Sequence, residues 1–156
     1  MEYRFILHNF AYHNNAMKIQ FISLLLTALL FSCKKNKSTP VPSVPFDITI
    51  NITLPSYSDL IGVSGWAYVN GGSKGIIVYR RSVDEFLAFD RHSPADPDGV
   101  CATPLYPDTN NYLQLNDDCS GAKFSLYDGS PISGANFGLR QYQTTWNGSE
   151  TLRIYN

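Results

Sequence analysis

At 156 residues the chain has room for one domain built on one hydrophobic core, and not comfortably for two. Hydrophobic residues at 44%, aromatics at 13% and charged residues at only 16% describe a folded domain and exclude a disordered one. A formal net charge of -1 supplies no general attraction to nucleic acid or to anionic lipid.

In chain order, the first segment reads as a targeting device. Met1 to Ala16 are polar and aromatic and unlike the basic start of a secretory signal, whereas Met17-Lys18 begins one cleanly, so translation is expected to start at Met17. The apolar stretch Phe21 to Phe31 falls short of the roughly 20 residues that a membrane-spanning helix needs, and residues 1–32 are therefore predicted to be a signal segment. It ends in Leu30-Phe31-Ser32-Cys33, which resembles the lipobox of bacterial lipoproteins. That resemblance implies that Cys33 is lipidated and becomes the first residue of the mature chain. It also implies stable attachment to a membrane of the bacterial cell envelope, placed here at the outer membrane facing the periplasm, because several acyl chains anchor where one does not. Residues 33–45 carry Lys34, Lys35, Lys37, Pro40, Pro42 and Pro45 with no apolar period, and read as a linker holding the domain on the order of 35 Å from the bilayer at about 3.1 Å per residue. The signal takes the chain into a compartment where disulfides persist. With Cys33 acylated, Cys101 and Cys119 are the remaining thiols, and a disulfide between them is expected.

From Phe46 the pattern is that of β-structure. Phe46, Ile48, Ile50, Ile52 and Leu54 alternate with polar residues, which marks a half-buried strand. Gly65 to Val69 and Gly75 to Arg80 flank the glycine-rich turn Asn70-Gly71-Gly72-Ser73-Lys74 and predict a hairpin. Phe86 to Phe89 is a short strand. Asp90 to Asn111 is a long, proline-broken polar segment of the kind that is usually functional or cross-linked. Tyr112 to Leu115 and Lys123 to Tyr127 are strands on either side of the cysteine-bearing turn Asp117 to Ala122, and Leu139 to Trp146 and Thr151 to Tyr155 bracket a second hairpin turn at Asn147-Gly148-Ser149-Glu150. No helical period is found beyond the signal segment. The expected fold class is all-β, a small antiparallel sandwich or barrel over residues 46–156.

The order of these pieces resembles a Rieske iron–sulfur domain, most specifically from Leu87 onward. The resemblance is carried by Leu87-Ala88-Phe89-Asp90-Arg91, a first loop with Ser93-Pro94, a second loop with Gly121, the run Lys123 to Ser130, and then Ile132-Ser133-Gly134-Ala135 and Leu139-Arg140-Gln141-Tyr142. It departs from the family in lacking a proline between Gly134 and Ala135, and at Asn136 and Gly138. Rieske clusters are held by two cysteines on one iron and two histidines on the other. The positions that the resemblance assigns to these ligands hold Ser93, Ala95, Asp117 and Ser120, none of which supplies a thiolate or an imidazole. A count points the same way: His8 and His13 precede Cys33, which leaves His92 as the mature chain's histidine. The resemblance thus implies a Rieske-like fold without the [2Fe-2S] cofactor. It further implies a disulfide from Cys101 to Cys119, because in quinol-oxidising complexes such a bridge ties the two cluster loops together.

Other readings remain open at this point. A [2Fe-2S] cluster or another metal held by an altered set of Cys101, Cys119, His92 and a carboxylate would make the chain an electron-transfer protein, whereas a lone loop histidine is expected to be exposed. Asp90, Asp96, Asp98, Asp108, Asp117 and Asp118 gather near the loops, where they either bind a cation or organise turns through their own backbone. Tyr106, Tyr112, Tyr127 and Tyr142 either form a recognition surface at the loop tips or complete the core. No phosphate loop, nucleophile elbow or zinc pattern is present, and no enzymatic activity is expected. The functional expectation is a binding or structural module of the envelope, contacting the membrane through its lipid and an envelope protein through its loops, with no nucleic-acid partner.

Overall fold

The computed structural model describes residues 39–156, so the predicted signal segment and Cys33 lie outside the described residues. Ten strands and one 3₁₀ helix make an all-β domain. The strands are β1 (Asp47–Asn51), β2 (Trp66–Val69), β3 (Ile76–Arg80), β4 (Phe86–Asp90), β5 (Tyr106–Pro107), β6 (Gln114–Asn116), β7 (Lys123–Ser125), β8 (Pro131–Ser133), β9 (Gln141–Trp146) and β10 (Thr151–Tyr155), with the helix at Pro55–Ile61. A six-stranded antiparallel sheet in the order β1-β10-β9-β4-β3-β2 curls into a half-barrel, and a four-stranded sheet, β5-β6-β7-β8, is inserted in the chain between β4 and β9.

Strands β3 and β4 are buried along their whole length. Successive side chains of a strand point to opposite faces, so Ile76, Val78, Phe86 and Ala88 enter the core inside the half-barrel, where they meet Ile50, Leu60, Leu152 and Ile154. Ile77, Tyr79, Leu87 and Phe89 face the other way, into a second core with Leu105, Leu115, Phe124 and Leu126. The two central strands thus serve two cores, which is why Ile76-Ile77-Val78-Tyr79 is a continuous apolar run and not an alternating one. On the inserted side the contact is close. A Cβ on Gly129, whose φ is +75°, would lie 2.6 Å from the Phe89 ring.

Both predicted hairpins form, with Val69 opposite Ile76 and Trp146 opposite Leu152. The first strand is shorter than its alternation suggests, because Pro55 starts the 3₁₀ helix, which buries Leu60 and caps the half-barrel. This helix was not expected, and neither were β5 and β8. The second half of the predicted linker is also not a free spacer. Val41 is buried, and its carbonyl accepts hydrogen bonds from Arg140 Nε at 2.9 Å and Nη2 at 2.6 Å. Asn156 Nδ2 donates to Ser43 Oγ and to the Val44 carbonyl, so the packed unit begins ahead of Phe46.

Candidate functional site

Two loops meet at one end of the inserted sheet. The first, between β4 and β5, is pinched shut at its base, where Leu105 N donates to the Arg91 carbonyl at 2.8 Å and Arg91 Nε donates to the Leu105 carbonyl at 2.7 Å. The Arg91 guanidinium lies 3.8 Å above the Tyr68 ring, which adds a cation–π contact to the clamp. The second loop is the turn between β6 and β7. Asp117 N donates to the Ala122 carbonyl, and Gly121 N donates to the Asp117 carbonyl, with Gly121 at φ +71° as the turn requires.

A disulfide joins Cys101 to Cys119, with the Cα atoms 5.9 Å apart, well within the usual range. Cys101 is buried and Cys119 exposed. Each half is also held through its backbone. Cys101 N donates to Asp96 Oδ2 at 2.8 Å, its carbonyl accepts from Lys74 Nζ, and Cys119 N donates to Asp117 Oδ1 at 2.9 Å. Lys74 Nζ stands 3.6 Å from Asp96 and so ties the first loop to the β2–β3 turn.

The structure brings Ser93, Ala95, Asp117 and Ser120 around this same spot. Asp117 is 4% exposed and is the hub. It accepts from Cys119 N, from Ser120 N, from Ser120 Oγ at 2.7 Å and from the Ser93 side chain. Ala95 and Ser120 line a cleft of about 340 Å³ that runs along the disulfide. The four residues therefore form a hydrogen-bonded knot. They offer no thiolate and no imidazole, so they do not fit a [2Fe-2S] cluster. Cys101, Asp117 and Cys119 do converge, with one donor atom from each within 4.8 Å of the others, but both sulfurs are spent on their mutual bond.

His92 is the main correction to the sequence reading. Expected to be an exposed loop residue, it is 3% exposed. Its Nδ1 pairs with Ser73 Oγ and its Nε2 with the Asp96 carbonyl, both at 2.8 Å, and Gly99 packs over the ring. With both ring nitrogens engaged, the side chain is a brace for the first loop. The aspartates resolve toward turn chemistry: Asp96 accepts from Val100 N and Cys101 N, and Asp108 accepts from Asn110 N, Asn111 N and Asn116 Nδ2. The tyrosines divide. Tyr142 is buried, Tyr106 donates to Asp118 Oδ1, and Tyr112 and Tyr127 are about half exposed. The residue that sequence reasoning passed over is Ser73, whose hydroxyl holds His92 from a turn 19 positions earlier.

No protein-family model matches the chain, and no curated protein matches it.

A Cys119→Ser variant, which opens a closure spanning 18 positions, is expected to lose about 3 kcal/mol by the chain-entropy account, read as a lower melting temperature with the β-sheet circular dichroism unchanged. The tip is also expected to be acid-sensitive. Burial works to raise the Asp117 pKa, but hydrogen bonds from Ser120, Ser93 and the Cys119 and Ser120 amides outweigh it and hold the carboxyl below its ordinary value. Asp96 is held low mainly by the Cys101 amide. A carboxylate with a depressed folded-state pKa contributes stability above its unfolded value, near 3.9, and loses it as the pH falls through the folded value. The urea midpoint should therefore decline below about pH 4, and Asp117→Asn, which does not titrate, should flatten part of that decline.

Proposed function

We propose that the chain is a non-catalytic lipoprotein of the bacterial cell envelope, anchored through Cys33 and facing the periplasm, whose domain has a Rieske-like fold without an iron–sulfur cluster. It acts as a binding or structural module, presenting the two-loop tip to an envelope protein. The observation that carries this reading is the chemistry of the tip. The thiolates and imidazole that an iron–sulfur cluster would ask for are already used in the oxidised chain: the sulfurs by the disulfide and the His92 nitrogens by Ser73 and the Asp96 carbonyl. The likeness to Rieske domains draws further support from the convergence of Ser93, Ala95, Asp117 and Ser120 between two disulfide-joined loops. A surface for a partner is at hand as well, since Val100, 85% exposed, stands at the mouth of the cleft beside Ala102.

Metal analysis tests this reading. Chain purified from its native membrane without chelators should contain substoichiometric iron and show no visible absorption. Two irons per chain with a visible spectrum would replace it with the electron-transfer reading. Replacing Cys33 with Ser should move the protein from the membrane to the soluble fraction, and retention on the membrane would remove the anchor from the account.

A further inference from the structure

We propose that reduction of the Cys101–Cys119 disulfide turns the tip into a site for a single zinc ion, with the two thiolates and the Asp117 carboxylate as its protein ligands. In the oxidised chain the sulfurs are unavailable, but one donor atom from each of the three residues already lies within 4.8 Å of the other two, and Cys101 Sγ is 4.0 Å from Asp117 Oδ1. In a tetrahedral site with Zn–S near 2.3 Å and Zn–O near 2.1 Å, neighbouring donors stand about 3.5–3.8 Å apart. The Cys101–Asp117 pair is already within a few tenths of an ångström of that spacing, and reduction frees the two sulfurs to part from bonding distance, about 2 Å, to the edge of such a site.

The cysteines also stay in place without their bond. Asp96 holds the Cys101 amide, Lys74 holds the Cys101 carbonyl, and Asp117 holds the Cys119 amide, none of which involves sulfur. Two thiolates beside a buried carboxylate repel one another, and a divalent ion compensates that charge. The open cleft of about 340 Å³ leaves room for water as the fourth ligand. The donor set suits zinc, a borderline-soft ion that takes sulfur and oxygen ligands together.

The step balances with a dithiol as reductant. The disulfide accepts two electrons and two protons from the dithiol, which leaves as its own cyclic disulfide. Zinc then displaces both protons from the new thiols into solvent. The proposal is independent of the lipid anchor and of the envelope partner.

The test uses the full chain carrying Cys33→Ser in detergent, so that no third thiol competes. The chain is reduced with dithiothreitol, freed of reductant under anaerobic conditions, and titrated with Co2+ and then Zn2+. The expected result is stoichiometric Co2+ with an intense near-ultraviolet thiolate-to-cobalt band, abolished by stoichiometric Zn2+, while the unreduced chain shows neither. X-ray absorption of the zinc form should show two sulfur ligands with oxygen completing the shell. Asp117→Asn should weaken zinc binding by more than about tenfold, since even the hydrogen-bonding partners of metal ligands are worth that much, and the exposed neighbour Asp118→Asn should leave it unchanged. Absence of the cobalt band, equal zinc uptake by the oxidised chain, or a shell without sulfur would overturn the proposal, as would loss of the β-sheet signal on reduction that zinc does not restore.

Discussion

Replacing Asp90 with alanine is expected to cost about 4 kcal/mol or more, enough to leave much of the chain unfolded at 37 °C if its total stability lies in the ordinary range of about 5–15 kcal/mol. Asp90 is fully buried at the end of β4. Its carboxylate accepts from Ser73 N at 2.6 Å, Lys74 N at 3.2 Å, His92 N at 2.8 Å and the Tyr142 hydroxyl at 2.6 Å. The β2–β3 turn curls its amides around this anion as a nest does around a phosphate. Alanine would strand two buried donors, His92 N and the Tyr142 hydroxyl, each costing about 1–3 kcal/mol when left unmade, and two part-buried ones, Ser73 N and Lys74 N.

Gly72 tests the same nest from the other side. At φ +63°, a Cβ there would lie 2.5 Å from Asp90 Oδ2 and 2.7 Å from the Tyr142 hydroxyl. Gly72→Ala should be severely destabilising for reasons of both strain and contact, and the effects of Gly72→Ala and Asp90→Ala should be strongly non-additive. Tyr142→Phe removes one donor from the nest and should cost less, about 1.5–3 kcal/mol as for a hydrogen bond to a charged group. Because Asp90 also holds the His92 amide, its loss should loosen the first loop and with it the tip. Urea midpoints for these variants are the measurement, and an Asp90→Ala cost within about 1 kcal/mol would contradict the description.

Arg80→Met is the second substitution expected to have a large effect, about 3 kcal/mol. Arg80 is 9% exposed, and among the described residues no carboxylate is paired with it. Its guanidinium donates to the carbonyls of Leu60 at 3.1 Å, Ile61 at 2.6 Å, Val83 at 2.5 Å and Ser82 at 3.3 Å. It also lies 4.9 Å from the Phe86 ring centroid and 5.6 Å from that of Trp146. Two of those carbonyls end the 3₁₀ helix and two belong to the β3–β4 turn, so one side chain ties the cap of the half-barrel to its central strands. The planar fork is what allows this, and Arg80→Lys, with one compact charge, should recover only part of the loss. Amide exchange across 55–61 should accelerate selectively in both variants. Exchange and urea midpoint both unchanged in Arg80→Met would show that the clasp is idle.

Much of the fold was legible because most strands carry a local signal. The alternation from Phe46, the Asn70-Gly71-Gly72 turn and the Asn147-Gly148 turn each announce their element within a few residues. What was not legible depends on distant partners. The helix at 55–61 buries a single residue, Leu60, and so has no period to detect. Strands β5 and β8 are two and three residues long and owe their pairing to β6 and β7. The burial of β3 and β4 on both faces needs the inserted sheet, which no local window contains. His92 reads as an exposed loop residue because its Ser73 partner lies 19 positions away, on another turn. Arg80, the last residue of its predicted strand, owes half of its clasp to the carbonyls of Leu60 and Ile61, some 20 positions earlier. At the tip, the pairing of Cys101 with Cys119 was readable by elimination once Cys33 was set aside, whereas the role of Asp117 as the hub of the second loop was not.

A covalent bond between Cys101 and Cys119 closes the tip, leaving neither of these sulfurs free for a cluster in the oxidised chain. Non-reducing peptide mapping of the alkylated, denatured protein tests that statement most directly. It should recover the peptides bearing Cys101 and Cys119 as one cross-linked species that separates on reduction. Recovery of both peptides alkylated before any reductant is added would contradict it.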